Sequence, residues 1–311
     1  MMKWLKGLLI AAAMLIVLGA CSTEGPKDAE GKKDGEDKDS VKIGLSISTL
    51  NNPFFVTLRD GAENAAKEAG YELVTADAQN DPSTQLSDIE DLLQQDIDIL
   101  LVNPVDSEAV VTAVESANKA DVPVITVDRS SDGGEVVTHI ASDNIAGGEM
   151  AGEFIAEQLG EKGNIVELEG ISGSSAARER GEGFHNIIDK LDEMEVVAKQ
   201  TADFDRTKGL SVMENIIQGK NDFVALFAHN DEMALGAIEA LESQNKLEDV
   251  IVVGFDATED AVKAVEDGRM AATIAQQPEI IGQRGVEAAG KIVKGEEVEE
   301  FIPVELKLIT K

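Results

Sequence analysis

Polar side chains that donate and accept hydrogen bonds follow several short apolar runs of this sequence. They are aspartate, arginine, asparagine and glutamine residues, each just past the end of a run: Asp128 and Arg129 after Val122–Val127, Asn230 after Phe223–Ala228, Asp256 after Val250–Phe255, and Gln276 after Ala271–Ala275. Arg180 opens the helical pattern that follows Asn164–Leu168. Each residue alone is equally well explained as a helix cap or a salt bridge. Together they supply the donors, acceptors and amides that a sugar needs, because a hydroxyl both donates and accepts.

Ser48–Phe55 combines an Asn-Pro step with two adjacent phenylalanines. Asn52 is predicted to cap a helix that starts at Pro53, whose missing N–H costs nothing in the first helical position. Phe54 and Phe55 then lie in the first helical turn at the carboxyl edge of a sheet, where open α/β sheets place their ligands. Paired rings are commonly core residues, but this chain has only nine Phe, one Tyr and one Trp. We therefore expect the two rings to stack on the C–H face of a ligand.

The sequence lacks the residue combinations and motifs expected of an enzyme. His139, His185 and His229 are far apart and lack metal-ligand spacing, and no Walker loop, G-x-G-x-x-G or G-x-S-x-G motif occurs. Gly170–Ser175 joins a strand to a helix and could hold an anion with its backbone amides, but no Gly-Lys-Ser/Thr follows. We expect neither catalysis nor a bound metal or cofactor.

Short β-rich runs alternate with helical patterns from Val41 onward. The predicted strands are Val41–Ile47, Tyr71–Ala76, Ile97–Val102, Val122–Val127, Val136–Ala141, Asn164–Leu168, Glu195–Gln200, Phe223–Ala228, Val250–Gly254 and Ala271–Ala275. The predicted helices are Pro53–Ala69, Ser83–Gln95, Glu108–Lys119, Ile145–Leu159, Ser175–Leu191, Arg206–Gln218, Asp231–Gln244, Glu259–Glu266 and Glu279–Val293. Strict alternation predicts parallel sheets covered on both faces. So many elements favour an α/β protein of two similar, doubly wound lobes that divide near Ser142–Asn144.

The N-terminus is typical of an exported lipoprotein. Met1–Ala20 has Lys3 and Lys6 before a short apolar stretch, as in a signal peptide. It ends at Cys21, the only cysteine, in a Leu-Gly-Ala-Cys sequence that resembles a bacterial lipobox. This resemblance implies diacylation of Cys21, and two acyl chains give stable membrane anchoring. The stretch from Cys21 to Ser40 has seven acidic and four basic residues and no large apolar side chain, so it is predicted to be a solvated tether.

The charge of the chain argues against one class of partner. It carries 60 acidic and 27 basic residues, a net charge of −33. A protein that binds nucleic acid needs a basic footprint, and the sequence has no strongly basic stretch. We therefore expect no nucleic-acid partner.

The sequence from Val41 to Lys311 resembles the ribose-binding members of the type I periplasmic binding protein family. The matching segments are Ser48–Phe55 (STLNNPFF), Ile125–Arg129 (ITVDR), His139–Asn144 (HIASDN), Ser175–Phe184 (SAARERGEGF), Ala202–Arg206 (ADFDR), Asn230–Gly236 (NDEMALG), Val252–Asp256 (VVGFD) and Ala272–Gln276 (ATIAQ). They extend over essentially the whole chain after the tether. One departure is His229, where glutamine precedes the asparagine in similar proteins.

The resemblance implies a ligand site between two lobes. Its residues would be Asn52, Phe54, Phe55, Asp128 and Arg129 from the first lobe, Arg180, Phe204, Asn230 and Asp256 from the second, and Gln276 at a crossover. Hinge crossings would lie at Ser142–Asp143, Gln276–Gln277 and Val304–Glu305. The first lobe would comprise Val41–Ser142 and Gln277–Pro303, and the second Asp143–Gln276 and Val304–Lys311. Phe54 and Phe55 would then face Phe204 across the sugar.

The resemblance further implies an extracytoplasmic, lipid-anchored monomer that closes around D-ribose and delivers it to an ABC-type permease. Another neutral monosaccharide, such as allose, a different pentose or a furanosyl signal molecule, is an open alternative. A sugar-sensing regulator of the LacI type would require a DNA-binding motif before Val41, where this chain has a lipobox and an acidic tether. A sugar-processing enzyme would require the catalytic residues that are absent from the sequence.

Overall fold

A computed structural model describes residues 40–219 and 222–311. The predicted signal peptide, Cys21 and the tether up to Asp39 lie outside these residues. The described part contains two six-stranded sheets, here named sheet A and sheet B. Both sheets are covered by helices on both faces, which confirms the predicted class of two parallel-sheet α/β lobes.

Sheet A has the strand order β11-β5-β4-β3-β1-β2, and every neighbouring pair is parallel. Its strands are β1 (Lys42–Ile47), β2 (Glu72–Asp77), β3 (Ile99–Val102), β4 (Val124–Val127), β5 (Thr138–Ser142) and β11 (Phe301–Val304). The helices that pack on it are α1 (Pro53–Ala69), α2 (Pro82–Leu93), α3 (Val111–Lys119) and α9 (Pro278–Val293). Helices α1 and α9 cover one face, and α2 and α3 cover the other.

Sheet B has the order β12-β10-β9-β8-β6-β7. Its strands are β6 (Gly163–Glu169), β7 (Met194–Thr201), β8 (Ala225–Ala228), β9 (Ile251–Asp256), β10 (Ala272–Ala275) and β12 (Lys307–Thr310). Its helices are α4 (Asn144–Leu159), α5 (Ser175–Ile188), α6 (Arg206–Gly219), α7 (Asp231–Ser243) and α8 (Glu259–Glu266), with a 3₁₀ turn at Leu247–Asp249. Helices α4 and α5 cover one face, and α6, α7 and α8 cover the other.

The start and end of α1 follow from its sequence as predicted. Asn52 accepts a hydrogen bond from the Phe54 N–H at 2.9 Å, and Pro53 occupies the first turn. Gly70 ends the helix with φ 73°, a left-handed conformation that costs glycine little. The Asn52 cap sets the start of α1 and thereby places Phe54 and Phe55 in its first turn.

Most predicted boundaries shift by one or two residues in the structure, and larger differences occur in α3, in α5 and at two strands. Helix α3 starts at Val111 rather than Glu108, because Asp106 Oδ1 accepts the Glu108 and Ala109 N–H groups in a separate turn. Helix α5 ends at Ile188 rather than Leu191. Strands β11 and β12 were not predicted; each has four residues, and β12 pairs antiparallel with β10, so sheet B is not wholly parallel.

The chain passes between the two sheets three times. It leaves β5 for α4 at Asp143, leaves β10 for α9 at Gln276 and Gln277, and leaves β11 for β12 at Glu305 and Leu306. The side-chain amide of Gln277 donates to the main-chain oxygen of Glu305 at 3.1 Å, which ties two of the crossings together. The predicted hinge residues lie at or beside these crossings.

Candidate functional site

A small cavity lies between the carboxyl ends of the two sheets. It is lined by all ten predicted ligand-binding residues and one more: Asn52, Phe54, Phe55, Asp128, Arg129, Ala176, Arg180, Phe204, Asn230, Asp256 and Gln276. A wider groove of about 650 Å³ opens on the surface between α1 and α9, but no unpaired buried polar atom lines it.

Sheet A supplies aromatic rings and one ion pair, in which Arg129 Nε lies 3.7 Å from Asp128 Oδ2. Phe54 and Phe55 are 4% and 3% exposed and meet edge to face, with ring centroids 5.1 Å apart. The Arg129 guanidinium lies 5.0 Å from the ring centroids of both Phe55 and Phe204, so it sits between rings from the two lobes. Its Nη1 donates to the Pro104 main-chain oxygen at 3.1 Å. This cation is therefore held in one orientation by stacking and by a backbone acceptor.

Asp128 is oriented by an asparagine that the sequence analysis missed. Asn103 Nδ2 donates to Asp128 Oδ2 at 3.2 Å and to the Val127 main-chain oxygen at 3.1 Å. Asn103 directly follows β3, so it fits the pattern of polar residues after apolar runs that identified its neighbours. Asn103 does not line the cavity, but its hydrogen bond orients the Asp128 carboxylate toward the cavity.

Sheet B supplies the second cation. Arg180 Nε donates to Asn144 Oδ1 at 2.9 Å, and its Nη1 donates to the His229 main-chain oxygen at 2.7 Å. The guanidinium stacks 3.9 Å from the centroid of the Phe255 ring. Its Nη1 also lies 3.8 Å from Asp256 Oδ1. Arg180 is thus the counter-charge to Asp256, and Asn144 is a further supporting residue that the sequence analysis missed.

The two asparagines of the site are helix caps as well as cavity residues. Asn230 Oδ1 accepts the Met233 N–H at 3.0 Å at the start of α7, as Asn52 does at the start of α1. The Asn230 Nδ2 donates to the Phe204 main-chain oxygen at 3.3 Å. The capping explanation and the ligand-site explanation therefore do not exclude one another, because a cap at this sheet edge also faces the cavity.

Three cavity residues have a left-handed backbone. The φ angles are 64° for Asp128, 60° for Phe204 and 119° for Asp256. Such conformations cost about 1–3 kcal/mol each and cluster where a side chain must be aimed. Gly170 makes room for the Phe204 ring, since a Cβ at that position would overlap it. The backbone is thus strained at the residues that present two carboxylates and one ring.

Burial shifts the ionisation of the charged cavity residues. Burial raises the pKa of Asp128, and the nearby Arg129 opposes the shift. Burial also raises the pKa of Asp256 well above its usual value, against the attraction of Arg180. The pKa of Arg129 falls to about 10 because burial outweighs the attraction of Asp128. Two aspartates and two arginines balance formally, so the cavity favours a neutral ligand over an anion.

Three buried polar atoms of the cavity have no hydrogen-bond partner. They are Asp128 Oδ1, Arg129 Nε and Gln276 Oε1, a third of the nine such atoms among the described residues. Gln276 also donates to Asp256 Oδ1 at 2.9 Å, which fixes its amide. An unpaired buried polar group costs about 1–3 kcal/mol. The cavity therefore presents two acceptors and one donor that a polyhydroxylated solute can satisfy.

The His229 side chain does not line the cavity and instead contacts the buried Glu167. Its Nε2 lies 2.9 Å from Glu167 Oε1, and His185 Nε2 lies 3.0 Å from Glu167 Oε2. Burial would raise the pKa of Glu167, but hydrogen bonds from both histidines hold it at about 2. The hydrogen bond to Glu167 raises the pKa of His185 to about 9. His229 therefore contributes to the cavity only through its main-chain oxygen, which receives Arg180.

The described residues contain neither a metal site nor a membrane-spanning helix. No group of three or more His, Cys, Asp or Glu side chains in 40–219 and 222–311 is arranged to hold a metal ion. None of the helices in those ranges combines the length and the apolar character that a membrane span requires. Two α/β lobes with a polar cavity lined by buried side chains between their carboxyl edges define a two-lobed binding protein for a small solute.

Comparisons with known proteins agree with this class. The sequence profile of the periplasmic binding protein domain matches residues 43–297. A ribose import binding protein of Bacillus subtilis (strain 168) is 54% identical over 301 residues, which cover 97% of each chain. A ribose import binding protein of Haemophilus influenzae is 59% identical over 268 residues, 86% of this chain and 91% of that one. An ABC transporter solute binding protein from Bacillus halodurans C-125, crystallised with bound myo-inositol, superposes with a TM-score of 0.84 at 36% identity, covering 89% of this chain and 96% of that one.

The chain belongs to the periplasmic binding protein family. It is a transport-type binding protein and not an enzyme, as the sequence predicts, because its relatives are binding proteins of importers.

Proposed function

We propose that this chain captures D-ribose in the cavity between its two lobes and delivers it to an ABC-type permease. Its relatives from Bacillus subtilis and Haemophilus influenzae, at 54% and 59% identity, carry the name of ribose import binding proteins. In this proposal all ten predicted residues contact the sugar, with aromatic rings on its C–H faces and polar groups on its hydroxyls.

The observation that carries the proposal is the set of unpaired atoms on Asp128, Arg129 and Gln276. A hydroxyl rotates to donate to a carboxylate or amide oxygen and accepts from a guanidinium with its own oxygen. One sugar with several hydroxyls satisfies all three atoms at once. An epimer that moves one hydroxyl leaves a buried atom unpaired, and this penalty of about 1–3 kcal/mol is a source of specificity.

Closure around the sugar couples binding to transport in this proposal. Residues from both lobes reach the sugar only when the lobes are together, so the ligand stabilises the closed form. The crossings at Ser142–Asp143, Gln276–Gln277 and Val304–Glu305 serve as the hinge. The closed monomer then docks on the permease while the lipid on Cys21 keeps it at the outer face of the cell membrane.

Calorimetric titration with a panel of sugars tests the ligand assignment. D-ribose is expected to bind, and D-allose, D-xylose, D-galactose and myo-inositol are expected to bind more weakly or not at all. Clear binding of another sugar with no heat from ribose would show that the chain is a binding protein for that sugar. No binding of any neutral monosaccharide would overturn the proposal.

Fractionation of expressing cells tests the anchor. The full chain is expected in the membrane fraction, and Cys21→Ser is expected in the soluble extracytoplasmic fraction with unchanged sugar affinity. A wild-type protein that is released like Cys21→Ser would contradict lipid anchoring.

A further inference from the structure

The turn that presents Asp256 has a strained backbone at two consecutive residues. Asp256, the last residue of β9, has φ 119°, and Ala257, the residue after the strand, has φ 54°. Neither residue is a glycine, so both conformations raise the energy of the turn. A strained turn persists only when its surroundings fix it, and the fixing contacts can be identified here.

Two side chains outside the cavity hold this turn. Thr273 Oγ1 accepts the Ala257 N–H at 3.1 Å and donates its own proton to Asp231 Oδ1 at 2.7 Å. Asp231 Oδ2 accepts the Thr258 N–H at 2.8 Å and the Thr258 hydroxyl at 3.2 Å. Both carboxylate oxygens of Asp231 are thus used to fix the two residues that follow Asp256, one of them through Thr273.

Burial of the Asp231 carboxylate costs free energy. It is fully buried, and burial raises its pKa to about 7. Gly254 leaves room for the carboxylate, since a Cβ there would overlap Asp231 Oδ1. Asp231 is the first residue of α7, but Asn230 already caps that helix, so the buried carboxyl is not needed as the cap. Its contacts instead converge on the Asp256 turn.

We infer that Asp231 is a positioning residue that acts through Thr273 and Thr258 to aim the Asp256 carboxylate at Arg180, Gln276 and the ligand. The inference rests on the proposed function for its effect on sugar affinity. It makes Asp231 a determinant of affinity although it does not line the cavity.

The effect on binding is measured by titrating D-ribose into Asp231→Ala, Asp231→Asn and Ile238→Ala. Asp231→Ala is expected to weaken binding by about tenfold or more, because Asp256 loses its alignment. Asp231→Asn is expected to recover most of the affinity, since its amide can accept from Thr258 and donate to the Thr273 hydroxyl. Ile238→Ala, a fully buried position two turns along α7, lowers stability without touching the turn and is expected to bind as the wild type does.

A double-mutant cycle with Ala257→Gly tests the positioning role itself. Glycine adopts a positive φ without strain, so the turn with glycine depends less on Asp231. Asp231→Ala is therefore expected to weaken ribose binding less in the Ala257→Gly background than in the wild type. The same coupling is expected in the unfolding free energy of the ligand-free protein, measured by chemical denaturation.

The outcomes separate this inference from the proposed function. If the wild type binds ribose and Asp231→Ala binds it equally well, the positioning role is wrong. If Asp231→Ala and Ala257→Gly are additive in both binding and unfolding, the role is also wrong. If the wild type binds no sugar at all, the proposed function fails, and the unfolding cycle alone still decides whether Asp231 holds the turn.

Discussion

Replacing Arg129 by lysine separates the geometry of its guanidinium from its charge. Lysine keeps the positive charge beside Asp128 but lacks the unpaired Nε and the flat group between Phe55 and Phe204. A hydrogen bond to a charged group contributes about 1.5–3 kcal/mol. Because about 1.4 kcal/mol corresponds to a factor of ten, the dissociation constant for ribose is expected to rise about 10- to 150-fold.

Calorimetric titration measures this change, and Arg269→Lys is the matched control. Arg269 pairs with Glu242 through two hydrogen bonds of 2.7 and 2.9 Å on the surface of the second lobe, and its substitution is expected to leave affinity unchanged. Chemical denaturation of both variants shows whether each is folded before titration. Wild-type affinity in a folded Arg129→Lys protein would refute the role of the Nε donor and of the stacked geometry.

The remaining predictions concern the aromatic wall, the amide at the crossover and the buried Glu167 cluster. Gly170→Ala is expected to displace the Phe204 ring and weaken ribose binding, measured by calorimetry; unchanged affinity would show that the ring is not a contact. Gln276→Met removes an unpaired acceptor and the donor to Asp256 in a side chain of similar length, and is expected to raise the dissociation constant about 5- to 150-fold by the same titration. The folded-state pKa of His185, about 9, exceeds its ordinary value near 6.5, so its stabilising contribution is complete below about pH 6.5 and is lost as the pH rises through 9. The unfolding free energy is therefore expected to fall less between pH 8 and 10 in His185→Gln than in the wild type. His139→Gln is the control, because His139, with a pKa of about 4 in the folded protein, is neutral in both the folded and the unfolded state over this range, and its substitution should leave the pH dependence unchanged. Equal pH dependence in His185→Gln and the wild type would contradict the pairing with Glu167.

The sequence predicts the parts of the fold that short-range patterns determine. Buried runs such as Ile99–Val102 are apolar on both faces, which identifies a parallel strand between two helical layers. The bounds of α1 and α8 are found in the structure as predicted, because capping residues or sharp changes of pattern mark their ends. Strands β11 and β12 have no such signal: Phe301 is 43% exposed, and Pro303 interrupts the hydrogen-bonding pattern of an edge strand.

Charged and amide residues that line the cavity could be predicted from the sequence. Residues that only support them, or that have no polar side chain, could not. Asp128, Arg129, Asp256 and Gln276 are conspicuous polar residues after apolar runs, and the structure brings them together. Ala176, in the first turn of α5, lines the cavity, but an alanine gives no signal of such a role in a sequence. Asn144 binds Arg180, which lies 36 residues away in the sequence, and Asn103 binds Asp128, which lies 25 residues away. Such distant pairs can be identified only in the folded chain.

A crystal structure of this protein with D-ribose tests the central claim most directly. The account predicts one sugar between the lobes, with hydroxyls within hydrogen-bonding distance of Asp128 Oδ1, Arg129 Nε and Gln276 Oε1. A sugar bound elsewhere, or bound in this cavity with these three atoms still unpaired, would contradict it.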